Sequence, residues 1–140
     1  MKRQQGSALV EFALVLPLLL ILSFVITELG RAYYQYNTLA KSVREAARFL
    51  SVRSPGVDVG LAKNIIVYGN PGGSGNVQLA GLNAAKIDPT WKFLGSYPAI
   101  NTVTIVVSNF SFTPIVNSVF GIALPTVVFS PIKATMRSPS

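Results

Sequence analysis

Residues 6–29 read GSALVEFALVLPLLLILSFVITEL, and this stretch decides the architecture of the chain. Two basic residues, Lys2 and Arg3, precede it, and its apolar part contains one ionisable side chain, Glu11. About 20 apolar residues in a helix span the roughly 30 Å hydrocarbon core of a bilayer. The segment of about residues 8–27 is therefore predicted to cross a membrane. Because basic residues flank the cytoplasmic end of a span, Lys2 and Arg3 predict a cytoplasmic N-terminus.

A secretory signal peptide has the same order of basic and apolar residues, so it is the first alternative. The apolar run is longer here, and no Ala-x-Ala-like cleavage site follows it; residues 28–33 continue a helical pattern instead. An uncleaved signal anchor is a second alternative and stays open. A carboxylate inside a membrane segment is costly and marks a functional site by default, and a plain anchor gains nothing from Glu11.

The spacing of Glu11 from Ser7 indicates how the carboxylate could be used. If the chain is cut between Gly6 and Ser7, Ser7 becomes a new amino terminus, and residues four apart share one helix face. The start of a helix also carries partial positive charge, which favours a nearby anion. An amine and a carboxylate that are paired offset much of their burial cost, either within one subunit or between neighbouring helices.

The N-terminus resembles the class III signal of type IV prepilins. It contains a basic pair, then Gly6 followed by a small residue, and then Glu11 and Phe12. The similarity is closest to the TadE-like proteins, which are minor pilins or pseudopilins of the tight adherence (Tad/Flp) pilus. Four further blocks resemble that family: Glu28–Ala32, Arg44–Arg48, Val103–Val107 and Ala134–Arg137.

The resemblance implies a subunit of a Tad/Flp pilus that supports pilus biogenesis and surface adhesion. A prepilin peptidase would cut between Gly6 and Ser7, and the helix would assemble with other pilins and the Tad machinery through Glu11, Phe12 and Pro17. The implied location is the bacterial inner membrane, with the C-terminal domain outside the cytoplasm and the surface pilus as a further location.

Length and charge restrict the other classes of function. The 140 residues allow one small domain beside the membrane segment, and the chain contains no cysteine, which excludes disulfides and thiolate metal sites. The net charge of +7 is scattered, with +4 in residues 1–53 and +3 in residues 54–140. A surface that tracks phosphates has its basic residues clustered, so no nucleic-acid partner is predicted.

The first half of the chain is predicted to be one long helix. A leader of residues 1–6 is expected to be unstructured, and a helix is expected over residues 7–50, with a kink or local loosening at Pro17. Its second half carries a heptad-like stripe, which predicts packing on the protein's own domain, on partner helices, or on both. The stripe consists of Leu29, Tyr33, Tyr36, Ala40, Val43, Ala47 and Leu50. Tyr33, Tyr34 and Tyr36 are interpreted as an aromatic belt at the outer membrane–water boundary.

Residues 51–140 are predicted to form an extracytoplasmic α+β domain. Asp58 is expected to cap a helix over residues 59–68, which ends at Gly69, and a Gly-rich loop follows. Alternation in residues 102–108 predicts a half-buried strand, and residues 126–137 predict a last strand with an edge or bulge at Pro131. Weaker strand signals lie at residues 86–88 and 91–93. The fold class is therefore α+β, with a three- to four-stranded antiparallel sheet.

No catalytic constellation is visible in the sequence. Histidine and cysteine are absent, and no carboxylate pair or Gly-x-Ser-x-Gly motif appears, so neither an enzyme, a cofactor, a metal site nor a small-molecule substrate is predicted. The alternative function is an uncleaved, membrane-anchored module that binds another envelope protein. The apolar segment Phe110–Phe120 is predicted to be either a short helix or the exposed docking patch of such a module.

Overall fold

The computed structural model describes residues 3–95, 100–116, 118–119, 121–123 and 125–138. The chain divides into two compact units, one of Met1–Tyr33 with Thr113–Thr126 and one of Tyr34–Phe112 with Val127–Ser140. The helices and strands are α1 (Arg3–Ser51), α2 (Val59–Tyr68), a 3₁₀ turn (Ala84–Lys86), β1 (Ile87–Leu94), β2 (Ile100–Val107), β3 (Ser111–Phe112), β4 (Ser118–Val119), β5 (Ile122–Ala123), β6 (Val127–Val128) and β7 (Ile132–Ser138). The predicted α+β class is confirmed.

Helix α1 begins earlier than the sequence predicts. It starts at Arg3 instead of Ser7, so residues 3–6 are helical and the expectation of an unstructured leader is wrong for them. Arginine and glutamine favour helix and extend the helix that the apolar run nucleates, and the penalty of about 1 kcal/mol for Gly6 does not end it. At its other end the helix stops at Ser51, one residue beyond the predicted end.

The second half of α1 supplies one wall of the core in the second unit. Leu39, Val43, Ala46, Ala47 and Leu50 are all fully buried there. The predicted stripe therefore packs inside this chain at its C-terminal end, where Val43, Ala47 and Leu50 belong to both sets. At its N-terminal end the stripe is exposed, with Leu29 64% and Tyr33 70% accessible.

Helix α2 matches its predicted bounds, but it starts differently from the prediction. Asp58 occupies the N-cap position in a left-handed conformation and makes no side-chain capping hydrogen bond. Its carboxylate instead accepts a hydrogen bond from the Arg53 guanidinium at 2.7 Å, so the predicted cap is wrong. The C-terminal end follows the prediction, because Gly69 adopts φ +78° and its N–H reaches the carbonyl of Ile65. A left-handed residue at this point favours glycine.

The sheet of the second unit has three antiparallel strands in the order β1-β2-β7. The pairing sets Ile105 opposite Ala134 and Val107 opposite Ile132, and these four side chains are buried on one face. The opposite face is polar, and the hydroxyls of Thr104 and Thr135 lie 2.8 Å apart on it. This alternation confirms the half-buried strand predicted at residues 102–108. β1 joins the two weak strand signals into one edge strand, which tolerates its proline.

The segment between β2 and β7 is divided between the two units. Phe110 and Phe112, which are 2% and 3% accessible, are buried in the second unit, so an exposed docking patch is wrong for these two residues. Phe110 stacks on Phe129, and Phe129 contacts the ring of Tyr36. Phe120 lies outside the described residues, as does the side chain of Val119. The predicted last strand is interrupted around Pro131 and forms β6 and β7.

Candidate functional site on the first half of the long helix

Gly6 and Ser7 lie inside the first turns of α1. Both residues are exposed, and a Cβ added at Gly6 would meet no atom within 4 Å. Both positions are therefore open on the surface of the helix. Lys2, the first residue of the predicted basic pair, lies outside the described residues. Arg3 begins the helix, and its side chain is outside the described part of the structure.

Glu11 lies one helical turn after Ser7 on the same face of α1. Its side chain is exposed and has no hydrogen-bond or ion-pair partner among the described residues. The next residue, Phe12, is 59% accessible. The structure thus brings the predicted site residues Ser7 and Glu11 together within one turn, and it leaves the carboxylate without a partner among the described residues.

Pro17 lies within α1, which continues on both sides of it. Its ring is half-buried, whereas its neighbours Leu16 and Leu18 are exposed. Further along, the hydroxyls of Ser23 and Thr27 donate to the carbonyls of the residues four positions earlier, each at 2.9 Å. These two polar side chains of the apolar span (residues 8–27) are therefore satisfied within the helix, as a membrane interior requires.

The apolar span has no core of its own. Its most apolar window has a mean hydropathy of 2.8, and none of that window is buried in this chain. By length and composition α1 is the one helix of the described residues that is able to cross a bilayer. A signal sequence meets the same two criteria. Beyond the span, however, the same helix continues without a break to Ser51.

A polar cluster lies immediately after the apolar span. One carboxylate oxygen of Glu28 lies 3.2 Å from Nε of Arg31, and the other accepts a hydrogen bond from the backbone N–H of Ile115 at 3.3 Å. Arg31 donates through Nη2 to the carbonyl of Thr113 at 3.2 Å. The Glu28 side chain is nearly buried and that of Arg31 is one-third accessible. The sequence does not predict this cluster: the spacing of Glu28 and Arg31 signals their pairing, but nothing local identifies a partner more than 80 residues away.

Within the residues that the structure describes, no group of three or more His, Asp or Glu side chains could hold a metal ion. Glu11 and Glu28 lie on different turns of α1, more than four turns apart, and each acts separately. The chemistry that these residues offer is therefore the pairing of charges and hydrogen bonds.

A single apolar helix with no internal core, continuous with a small α+β unit, defines a membrane-anchored protein. The family model described as "TadE-like protein" matches residues 6–48, and the resemblance to TadE-like proteins is confirmed over those residues. This match supports involvement in a Tad pilus system. No curated protein and no solved structure matches the chain significantly. The blocks Val103–Val107 and Ala134–Arg137 lie outside the match, so their resemblance stays a prediction.

Proposed function

We propose that this chain is a minor pilin or pseudopilin of a Tad/Flp pilus, without enzymatic activity of its own. It is anchored in the cytoplasmic membrane with Lys2 and Arg3 inside and its α+β domain outside. A prepilin peptidase cuts it between Gly6 and Ser7, and the apolar helix then assembles with other pilins to support surface adhesion. The observation that carries the proposal is the carboxylate of Glu11, which is exposed, has no partner in the part of the chain that the structure describes, and lies one turn from Ser7.

The cost of burying the Glu11 carboxylate in a membrane favours its pairing with a positive charge. A carboxylate near the centre of a membrane helix costs about 2.5–3.5 kcal/mol on insertion scales, and less near the interface. An uncleaved chain offers no amine at residue 7 to offset that cost. Cleavage creates one on the same helix face, where the amine of one subunit pairs with Glu11 of the same or a neighbouring subunit. Processing and assembly are thus linked through one ion pair.

The accessibility of Gly6 supports its role as the cleavage position. Proteases bind their substrates in extended form, so residues 3–6 of α1 must unwind at the peptidase. Glycine lowers the cost of this step because it destabilises the helix by about 1 kcal/mol relative to alanine. A Cβ at this position would contact nothing in the chain. A loss of cleavage in Gly6→Ala therefore reports on events at the peptidase, namely recognition of residue 6 and unwinding of the helix there, and not on a steric clash within the substrate.

The test is co-expression of the full chain with a prepilin peptidase, followed by N-terminal sequencing and by recovery of sheared pili. We expect sequencing to start at Ser7 in the wild type, Gly6→Ala to lose most of its cleavage, and Gly30→Ala to be cut normally. Gly30 is the matched control because it lies in the same helix and is equally open. An intact N-terminus in the wild type would refute the processing claim.

The same strains test assembly through Glu11. Glu11→Gln keeps the shape of the side chain and removes its charge, so we expect near-normal cleavage and a reduction in pilus yield of about tenfold, the effect of losing about 1.4 kcal/mol. Glu45→Gln is the control, because Glu45 is an exposed carboxylate on the same helix outside the apolar span. Equal pilus yields in the two variants would remove the role proposed for Glu11.

A further inference from the structure

The segment from Thr113 to Thr126 has a composition unlike that of an ordinary surface loop. It contains no charged side chain, and neither does the longer stretch of residues 93–132. In the first unit the described part of this segment is irregular, with a bend at Ile115 and Val116, and then forms a short hairpin, in which Ser118 pairs with Ala123 and Val119 with Ile122. Ile115 is 71% accessible, and Ala123 is exposed on the second strand of the hairpin.

We propose that this hairpin lies in the outer interfacial layer of the lipid bilayer, beside the point where α1 leaves it. The inference rests on the membrane insertion of α1 in the proposed function, but not on cleavage or on pilus assembly. Its first support is position. Thr113 and Ile115 are hydrogen-bonded to Arg31 and Glu28, and these two residues directly follow the apolar span.

The direction of the segment gives the second support. Thr113 contacts the residue at position 31 and Ile115 the residue at position 28, so the chain runs toward the N-terminus of α1, which is toward the apolar span. Ile21 and Val25 continue the face of Glu28 at helical spacing, and both are half-buried although most of the span is exposed. The described residues of the segment 113–126 belong to the same unit as this part of the helix, and we assign the partial cover to them.

The dimensions of this arrangement correspond to the interfacial layer and not to the bilayer centre. Seven residues separate Glu28 from Ile21, which is about 10 Å along the helix. Interfacial elements bury their apolar faces roughly 5–10 Å into the boundary between headgroups and acyl chains. Strands of two residues leave backbone groups unpaired, and the hydrocarbon core does not tolerate such groups, whereas the headgroup layer hydrates them. Tyr33, five residues beyond Glu28, is exposed at the level where tyrosines prefer to lie.

The hairpin adjoins the apolar span, and this favours the lipid surface over a partner protein as the surface that the hairpin contacts. A partner protein that bound the hairpin alone would leave the adjoining helix surface to be covered separately. A bilayer covers the exposed side chains of the span and the uncharged hairpin together. Arg31, one-third accessible, then remains at the water side, where its charge is hydrated.

The absence of cysteine from the chain allows a direct test with single-cysteine variants. Ile115→Cys and Ala123→Cys carry an environment-sensitive fluorophore in the full chain, reconstituted in vesicles of phosphatidylcholine with a minor fraction of phosphatidylglycerol. Leu20→Cys is the control for insertion of the helix, and Ser74→Cys, in the exposed Gly-rich loop, is the aqueous control. The quenchers are lipids spin-labelled near the top of the acyl chain and, from water, iodide. Trp91 fluorescence before labelling verifies the fold of each variant.

We expect lipid quenching at residues 115 and 123 to be several-fold stronger than at residue 74, together with protection from iodide. If lipid quenches the label at residue 20, but the labels at 115 and 123 behave like the label at 74, the proposal is overturned. Membrane insertion of α1 would remain supported. A label at residue 20 that lipid does not quench would overturn both. Protection at 115 and 123 that appears only at a high ratio of protein to lipid would identify a second copy as the occupant and overturn the lipid assignment.

Discussion

The two ends of α1 use the same helical backbone for different surroundings. In the apolar span the side chains are apolar on every face, and most of them are exposed. From Leu39 to Leu50 the apolar residues return at helical spacing, and five of them are completely buried. A helix with one apolar stripe buries that stripe in a protein core, whereas a helix that is apolar on all faces is stable only in apolar surroundings. The C-terminal half of α1 packs on the core of its own chain, and the lipid bilayer surrounds the apolar span.

The polar side chains of α1 show the same contrast. Ser23 and Ser42 each donate a hydrogen bond to the carbonyl of the residue four positions earlier. Ser42 shares its one hydroxyl proton between that carbonyl and the side-chain oxygen of Gln78, which lies 2.8 Å away, and the N–H of Gln78 reaches the carbonyl of Val67. Among the described residues, the Ser23 side chain forms a hydrogen bond only within its own helix. The hydroxyl in the span is satisfied locally, and the hydroxyl in the core takes part in tertiary structure.

Replacing one leucine in each half is the strongest test of this difference. Leu50→Ala removes a fully buried side chain and leaves a cavity, so we expect a loss of about 2–5 kcal/mol in the free energy of unfolding. Leu20→Ala removes a side chain that is 40% accessible, so we expect a change within about 0.5 kcal/mol. The measurement is guanidinium unfolding of the detergent-solubilised full chain, followed by the fluorescence of Trp91, which packs against the core.

Trp91 is the single tryptophan of the chain, so the signal reports on the second unit alone. Similar losses in the two variants would break the comparison, because they would mean that Leu20 contributes to the stability of the second unit as much as Leu50 does. Leu50→Met provides the control for volume. It retains most of the side chain, and we expect it to cost less than about 1.5 kcal/mol.

Local patterns in the sequence were sufficient for elements that depend on local physics. The bounds of α2 followed from its apolar residues and from Gly69, whose left-handed conformation ends the helix. The alternation of Val103, Ile105 and Val107 predicted which face of β2 is buried. The change from a uniformly apolar helix to a striped one was also readable. For the candidate site, the spacing of Ser7 and Glu11 predicted their shared face, because α1 is regular there.

Interactions between residues distant in sequence could not be predicted in the same way. Asp58 has the right type and position for a helix cap, but the guanidinium of Arg53 competes for its carboxylate. From the sequence alone, Phe110 and Phe112 could form part of a surface patch. In the structure Phe129, which is distant in sequence, stacks on Phe110. The contact of Glu28 with Ile115 depends on a chain reversal that no short motif encodes.

A smaller effect is expected from removing one hydroxyl from each half of α1. Ser42→Ala deletes the hydrogen bond to Gln78, and we expect a loss of about 0.5–1.5 kcal/mol in the same unfolding measurement. Ser23→Ala deletes only a bond within the helix, and alanine favours helix slightly, so a change of at most a few tenths of a kcal/mol is expected. A larger loss for Ser23→Ala than for Ser42→Ala would show that the tertiary role is assigned to the wrong serine.

The smallest effect concerns Glu28, which gives the first unit a tertiary contact of its own. Glu28→Ala removes the acceptor of the Ile115 N–H, and we expect amide exchange at Ile115, measured by NMR in detergent, to become up to about tenfold faster. Glu28→Gln retains an acceptor oxygen and loses only the charge, so the acceleration should be smaller. The stability reported by Trp91 should remain unchanged in both variants, because Glu28 belongs to the first unit. If Glu28→Ala lowered that stability as much as Ser42→Ala does, the two halves of α1 would not be energetically separate. The contrast between a helix in lipid and a helix in a core would then not hold at Glu28.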